Sequence, residues 1–205
     1  MNSPRLNIRK LTNADVDEAA DLLARAFFDY PMLTWLMPGD AHRRAALPVF
    51  MSASVRWGLL MNDVFGIGDP LCGVAIWAPP SMADRDLDPD DSSVRYHEAA
   101  AAIGPDAEAR LERFGAEQRD LRQHQMGPRT WYLAWLGVDP DQQRAGAGTA
   151  LLDDMFFHLD RIGDDIYLET EKSANVPYYL LRGFSVVTEG AISGGGPRFW
   201  TMRRK

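Results

Sequence analysis

The chain has 205 residues, a length that suits one domain. Its 22 Lys and Arg against 29 Asp and Glu give a formal charge of −7, which argues against a general nucleic-acid binder because phosphate contacts need a basic face. A single cysteine, Cys72, excludes a disulfide framework and a multi-thiolate zinc site, and the longest apolar stretch, Trp131 to Val138, is far short of a bilayer span. Met1 to Lys10 shows no hydrophobic signal region, so the expectation is a cytoplasmic protein with neither nucleic-acid nor membrane partners.

In chain order, the alternation of Leu6, Ile8 and Leu11 with polar residues predicts a first strand. Thr12, with Asp15 three residues on, reads as a helix N-cap with a partial capping box. Leu22, Leu23, Ala26 and Phe27 then share one helical face. Tyr30 to Pro38, bracketed by Pro31 and Pro38, reads as a loop rich in Tyr, Met, Leu and Trp that covers or lines a pocket. Arg43 to Leu60 predicts a helix that Pro48 interrupts or opens. Val64–Ile67 and Leu71–Ala78 read as a hairpin turning at Gly68, Asp69 and Pro70. Asp84 to Asp91 reads as a solvated acidic loop, not a calcium site, since it lacks the glycine and hydrophobic punctuation of one. Ser92–Ile103 and Pro105–Gln123 read as helices divided at Gly104.

The second half carries the chemistry. Trp131, Leu133 and Trp135 alternate with Tyr132, Ala134, Leu136 and Val138, and both sets are apolar, which predicts a central strand covered on both faces. Pro140 ends it, a glycine-rich turn follows, and Leu151, Leu152, Met155, Phe156, Leu159 and Ile162 form a helical stripe. Asp165–Thr170 is a further strand. Asn175–Arg182 is a short helix closed by Gly183, and Phe184–Thr188 and Arg198–Arg203 are the last strands. The result is a mixed α/β or α+β domain spanning residues 1–205.

A buried strand, a glycine turn and an amphipathic helix together make an anion site. The helix start offers unpaired N–H groups, and Gly146 and Gly148 let backbone approach a ligand. A P-loop is excluded because no lysine precedes Thr149. A Rossmann fingerprint is excluded because Leu151 stands where its third glycine or alanine belongs. A coenzyme A site remains.

Val138-Asp139-Pro140-Asp141-Gln142-Gln143-Arg144-Ala145-Gly146-Ala147-Gly148 resembles the acyl-CoA signature of the GNAT family of N-acetyltransferases, Val-x-Pro-x-x-Gln/Arg-x-x-Gly-x-Gly/Ala. Asn175-Val176-Pro177-Tyr178-Tyr179 with Gly183-Phe184 resembles that family's second motif. Further counterparts resemble the puromycin N-acetyltransferase branch: Phe27-Phe28-Asp29-Tyr30-Pro31, Trp131-Tyr132-Leu133, Leu168-Glu169-Thr170 and Gly196-Pro197-Arg198-Phe199-Trp200-Thr201-Met202. One departure stands out, because the family has a glycine where this chain has Arg144, and an L-residue tolerates positive φ poorly.

The resemblance implies a single GNAT domain, its mostly antiparallel sheet holding a splayed central parallel pair between helices. It implies acetyl-CoA as co-substrate, a small-molecule primary amine as acceptor, no metal, and a monomer or homodimer. Leu136, Gly137 and Val138 would hold the pantetheine arm by backbone pairing, with Gly137 giving room. Gln143, Arg144, Ala145, Gly146, Ala147, Gly148 and Thr149 would hold the phosphates, and Asn175 would hold the cofactor or cap a helix. Tyr179 stands where the family places the general acid, with Tyr178 as the core alternative. Glu169 is the first candidate base, with Glu171 behind it; a glutamate at an exposed strand end is the other reading of Glu169. Tyr30 and Trp35 are candidate acceptor contacts, with Tyr96 and His97 less direct ones. Cys72, in an apolar strand, reads as an inert thiol. A protein or peptide N-acetyltransferase and a non-catalytic acyl-CoA sensor are the alternatives.

Overall fold

The computed structural model describes residues 7–61, 63–80 and 93–205. The acidic stretch Asp84 to Asp91 lies outside the described residues, as does Leu6 of the first expected strand. Strand β1 (Ile8–Lys10) is followed by the capping box expected at Thr12. The Thr12 backbone N–H donates to Asp15 Oδ2 at 2.8 Å, and the Thr12 hydroxyl accepts from the Ala14 N–H at 3.3 Å. The box caps a 3-10 turn, Asn13–Asp15, that leads into α1 (Val16–Ala26). Val16, Ala19, Ala20, Leu22 and Leu23 recur at helical spacing and are buried.

The segment expected as a loop is helix α2 (Pro31–Leu36). Pro31 takes the first helical position, where a missing N–H costs nothing, and Tyr30 before it is extended. Met32, Leu33 and Leu36 are buried, so the apolar content that suggested a covering loop is a helix's inner face. Helix α3 (Asp40–Leu60) runs straight through Pro48. Arg43, read only as its start, is buried and clamps the turn before it. Its guanidinium donates to the carbonyls of Phe28 (2.8 Å) and Met37 (2.7 Å) and to Asp40 Oδ1 (2.8 Å). The hairpin is β2 (Val64–Gly68) and β3 (Leu71–Ala78), turning at Gly68 with φ +93°. Helices α4 (Tyr96–Ile103) and α5 (Pro105–Gln125) follow, then β4 (Thr130–Val138), α6 (Ala147–Ile162), β5 (Asp165–Thr170), α7 (Asn175–Leu180), β6 (Ser185–Ala191) and β7 (Arg198–Arg204).

Seven strands form one sheet in the order β1-β2-β3-β4-β5-β7-β6. Every neighbouring pair is antiparallel except β4–β5. That parallel pair is short: Thr130 to Leu133 lie against Asp165 to Leu168, and beyond Leu133 the strands part. Helices α1 to α5 cover one face, where Leu23, Leu33, Leu47 and Met51 pack with Val74 and Ile76. Helices α6 and α7 cover the other, where Leu151, Leu152 and Leu159 pack on Trp77, Leu133, Ile166 and Leu168. Each fully buried aliphatic side chain in these layers contributes about 1.5–3 kcal/mol of transfer free energy.

Strand β4 is central, as its composition predicts, but its residues do not keep one alternation. Ile76 lies opposite Trp135 and Trp77 opposite Leu133, so Ala134 is an extra residue, a β-bulge. The parity flips there. Trp131 and Leu133 pack toward α6, and so do Leu136 and Val138, while Trp135 joins the opposite core with its ring on Phe27 at 4.9 Å. Most of β4 is half-buried, because its second half looks into the gap between the splayed strands.

Candidate active site

The gap between β4 and β5 opens into a groove of about 540 Å³ that runs to the start of α6. Every residue expected to hold the cofactor lines it except Ala145: Leu136 to Val138, Gln143, Arg144, Gly146 to Thr149 and Asn175. On the β3 side, β4 is paired through to Val138; on the β5 side its pairing ends at Leu133. The edge from Ala134 to Val138 therefore has no neighbouring strand in the gap, and an extended polar chain can add there as a strand would. Gln143 Nε2 donates to the Val138 carbonyl at 3.3 Å and ties the turn to the strand end.

The turn is built for an anion. Gly146 is the N-cap of α6 with φ +96°, and nothing lies within 4 Å of where its Cβ would be. A Cβ on Gly148 would sit 3.3 Å from Val138 Cγ2 and 3.4 Å from the Tyr178 hydroxyl, so a side chain there would be tight and would crowd the turn. Arg144 has φ +65°, a left-handed geometry that favours glycine and that an L-residue adopts at a cost. The sixteen-residue helix α6 adds its N-terminal partial charge. Arg182 braces this end, donating to Thr149 Oγ1 at 2.5 Å and to the Tyr178 carbonyl at 2.8 Å, with its guanidinium 3.5 Å from the Tyr178 ring centre. The donors, glycines and groove width fit a nucleotide diphosphate with a pantetheine arm.

Gly137 does a different job from the one expected. A Cβ there would sit 2.6 Å from Leu23 Cδ2 and 3.1 Å from Phe27 Cε2, so its missing side chain makes room for α1. Asn175 is not a cap; its Nδ2 donates to Thr170 Oγ1 at 3.1 Å.

A second pocket of about 120 Å³ adjoins the groove, and Phe27, Tyr30, Leu136, Asn175 and Tyr179 line both. Tyr179 is 8% exposed, packs edge-on to Tyr178 and Phe184, and makes no hydrogen bond through its hydroxyl among the described residues. Burial pushes its phenol well above the ordinary value, so it holds its proton. The Tyr30 hydroxyl is 3.0 Å from Thr170 Oγ1 and accepts from the Glu171 N–H at 3.0 Å. Trp35 lines neither pocket, and its carbonyl accepts a long bond from Arg110. Tyr96 and His97 sit edge-to-face on each other in α4, away from both.

The two glutamates have unlike surroundings. Glu169 is closed in: Arg122 Nη1 donates to both its oxygens at 3.0 Å, the Tyr132 hydroxyl to Oε2 at 3.0 Å and the Tyr167 hydroxyl to Oε1 at 3.2 Å. Burial pushes Glu169 upward and these donors oppose it; four bonds all donated to one group fit its carboxylate form. Glu171 is also buried, with the Tyr30 hydroxyl against its carboxylate, and it forms no ion pair among the described residues. Burial first, and the Glu169 charge second, push it up to about 8.

Residues that sequence reasoning left out do much of the pocket's work. Arg122 and Phe114 come from α5, and Tyr132 of β4 and Phe27, which the sequence marks only through the branch resemblance and a helix face, join them. The parallel register, Tyr132 beside Tyr167, is what brings Tyr132 to Glu169. No periodicity within α5 marks Arg122 apart from its other arginines.

Residues 109–184, which hold β4, the turn, α6, β5 and α7, match the model of the Acetyltransferase (GNAT) family. The chain has the fold of a GNAT domain. It is 26% identical over 185 residues to an uncharacterized N-acetyltransferase of Schizosaccharomyces pombe, covering 86% of this chain and 73% of that protein. Among solved structures it is similar to a histone acetyltransferase HPA2 and related acetyltransferase from Corynebacterium glutamicum, with TM-score 0.65 and 20% identity over 97% of this chain and 95% of that one. It is also similar to the PaiA N-acetyltransferase of Thermoplasma acidophilum in complex with coenzyme A, with TM-score 0.56 and 12% identity over 98% of each chain. The fold is thus the one expected, a mostly antiparallel sheet with a short parallel pair between helices. No helix among the described residues is long and apolar enough to cross a membrane.

Proposed function

We propose that the protein transfers the acetyl group of acetyl-CoA to a primary amine of a small molecule, by direct attack with both substrates bound. The observation that carries this is the junction at Tyr179: the groove that fits coenzyme A and the pocket holding Glu171 share this residue as a wall. In this reading the backbone of Leu136 to Val138 holds the pantetheine arm, and Gln143 to Thr149 hold the diphosphate. Acetyl-CoA bound there supplies a thioester at the junction.

The chain's own groups do the proton work. Glu171 takes a proton from the attacking amine nitrogen as the new C–N bond forms. Tyr179 gives its hydroxyl proton to the sulfur as the C–S bond breaks, leaving an amide and a free thiol. The phenol is a weaker acid than the thiol it forms, so the transfer is uphill on its own and proceeds in concert with cleavage of the C–S bond. The carboxylate that sequence pattern put first, Glu169, has its lone pairs engaged by Arg122, Tyr132 and Tyr167, so Glu171 is the carboxylate we assign as base.

Three of the four segments that resemble the puromycin N-acetyltransferase branch meet at this pocket: Phe27 and Tyr30 of the first, Tyr132 and Leu133 of the second, and Leu168 to Thr170 of the third line it. That convergence supports placing the chain near that branch and supports a small acceptor. Calorimetric titration with acetyl-CoA tests the groove; an absence of binding overturns the reading. Tyr179→Phe is expected to lower kcat about 10²-fold or more while leaving acetyl-CoA affinity unchanged. Unchanged turnover removes Tyr179 as the acid, and a wild type with affinity but no turnover on any amine marks a binding module.

A further inference from the structure

Of the chain's 22 Lys and Arg residues only three are lysines, Lys10, Lys172 and Lys205. The distinction matters beside a thioester, because a lysine can shed its charge to become a nucleophile and an arginine cannot. All three lysines are exposed, so accessibility favours none of them. Position does. Lys172 alone lines the coenzyme A groove, and it stays outside the acceptor pocket that holds Glu169 and Glu171. Lys10 lies on β1 at the edge of the sheet, its Nζ 3.7 Å from Asp63 Oδ1, and Lys205 follows β7 at the end of the chain.

Lys172 springs from a pinned turn between β5 and α7. Its backbone N–H donates to Thr170 Oγ1 at 3.4 Å, and its carbonyl accepts from the Asn175 N–H at 2.9 Å. The Asn175 amide and the Tyr30 hydroxyl meet that same Thr170 oxygen at 3.1 and 3.0 Å. From this fixed base a flexible four-carbon stem shares the groove wall with Asn175, Tyr178 and Tyr179. Glu171 precedes it directly in the chain, so Lys172 stands on the donor side of the junction where the thioester is placed. Among the described residues, Arg144 and Lys172 are the charged side chains that line the groove, and both are cations.

We propose that Lys172 is a self-acetylation site: acetyl-CoA held in the groove acetylates it within the same molecule, and the acetylated side chain loosens the hold on the next acetyl-CoA. Lys172 Nζ, having given one proton to water, bonds to the acetyl carbon as the C–S bond breaks. A second proton leaves the nitrogen for water, and the sulfur takes one from Tyr179, which water restores. The products are an ε-N-acetyl-lysine and free coenzyme A. Holding the thioester beside the amine replaces a collision with a local step, which is what separates Lys172 from the other two lysines. Acetylation removes one of two cations from a groove that fits a diphosphate. This rests on the acetyl-CoA binding in the function proposed above and not on which amine is the acceptor.

The test incubates the full chain with acetyl-CoA and no acceptor and follows each lysine by peptide mass spectrometry, beside calorimetric titration of acetyl-CoA. Lys172 is expected to be acetylated at least about tenfold faster than Lys10 or Lys205, at a rate that saturates with acetyl-CoA and does not change with protein concentration. Gly148→Val, which crowds the turn, should slow Lys172 at subsaturating acetyl-CoA and leave the other two lysines as they were. Lys172→Gln should bind acetyl-CoA about 3–5-fold more weakly than Lys172→Arg, which keeps the charge. Equal rates at the three lysines, a rate that climbs with acetyl-CoA without saturating, or one that grows with protein concentration overturns self-acetylation. Equal affinity in the two Lys172 variants overturns the loosening. If acetyl-CoA binds and small amines are acetylated while Lys172 is not, this proposal alone falls; if acetyl-CoA does not bind, the functional reading itself fails.

Discussion

The coenzyme A groove and the acceptor pocket share a wall but are assembled in opposite ways. The groove comes mostly from one run of chain, Leu136 to Thr149, and works through backbone: an unpaired strand edge, glycines and a helix start. The pocket draws on α1, α2, α5, β4, β5 and the residues after β5, and it works through side chains. A backbone device needs a fixed local order of residue types, so it leaves a motif. A side-chain device needs only that distant residues converge, so Arg122 and Glu169 meet across 47 positions with no local mark on either.

This contrast can be broken by variants that should strike one site and spare the other. Glu171→Gln is expected to lower kcat about 10²–10⁴-fold with acetyl-CoA affinity unchanged by calorimetry. In the wild type, kcat/KM should rise with pH toward a plateau above about 8, where the Glu171 carboxyl has lost its proton; the variant should lose that step. Stability should move the other way. Glu171 holds its proton in the fold at pH values where the unfolded chain has already released it. Stability is therefore full below pH about 4.5 and falls as pH rises toward about 8. Glu171→Gln should flatten that fall, as thermal melting across pH would show. A wild-type profile without the step would move the base elsewhere.

Gly148→Val should do the reverse. Its side chain intrudes between Val138 and Tyr178 where backbone N–H groups are needed. Acetyl-CoA should bind about 10–100-fold more weakly, and kcat at saturating acetyl-CoA should change little. A loss of kcat with normal affinity would show that the groove and pocket are not separable. The smallest effect belongs to Arg144→Gly. Removing a side chain from φ +65° relieves about 1 kcal/mol of backbone strain. For a chain of this size that raises Tm by about 2–4 °C, and lost affinity for acetyl-CoA would show that the guanidinium touches a phosphate.

The fold was legible where periodicity and punctuation agree. The hairpin, α6 with its apolar stripe and the Thr12 box follow from local pattern, while the parallel pair came only with the family resemblance. The helix at Pro31 to Leu36 did not, because two prolines and large apolar residues suit a lining loop as well as a short helix with proline at its first position. The acceptor side was half legible. Tyr30 lines the pocket as expected, and Trp35, only five residues on, does not, since which face of a six-residue helix turns inward depends on what packs against it.

Ala134 bears on how this protein is altered as well as how it is read. The side-to-side rhythm of its strand restarts at that residue. Anyone counting alternate residues from Trp131 to stay on the α6 side would, from Trp135 on, be on the α1 side instead. Removing the one extra residue would rotate Trp135 away from Phe27 and turn the strand's far half over, exchanging the side that meets α1 for the side that meets α6.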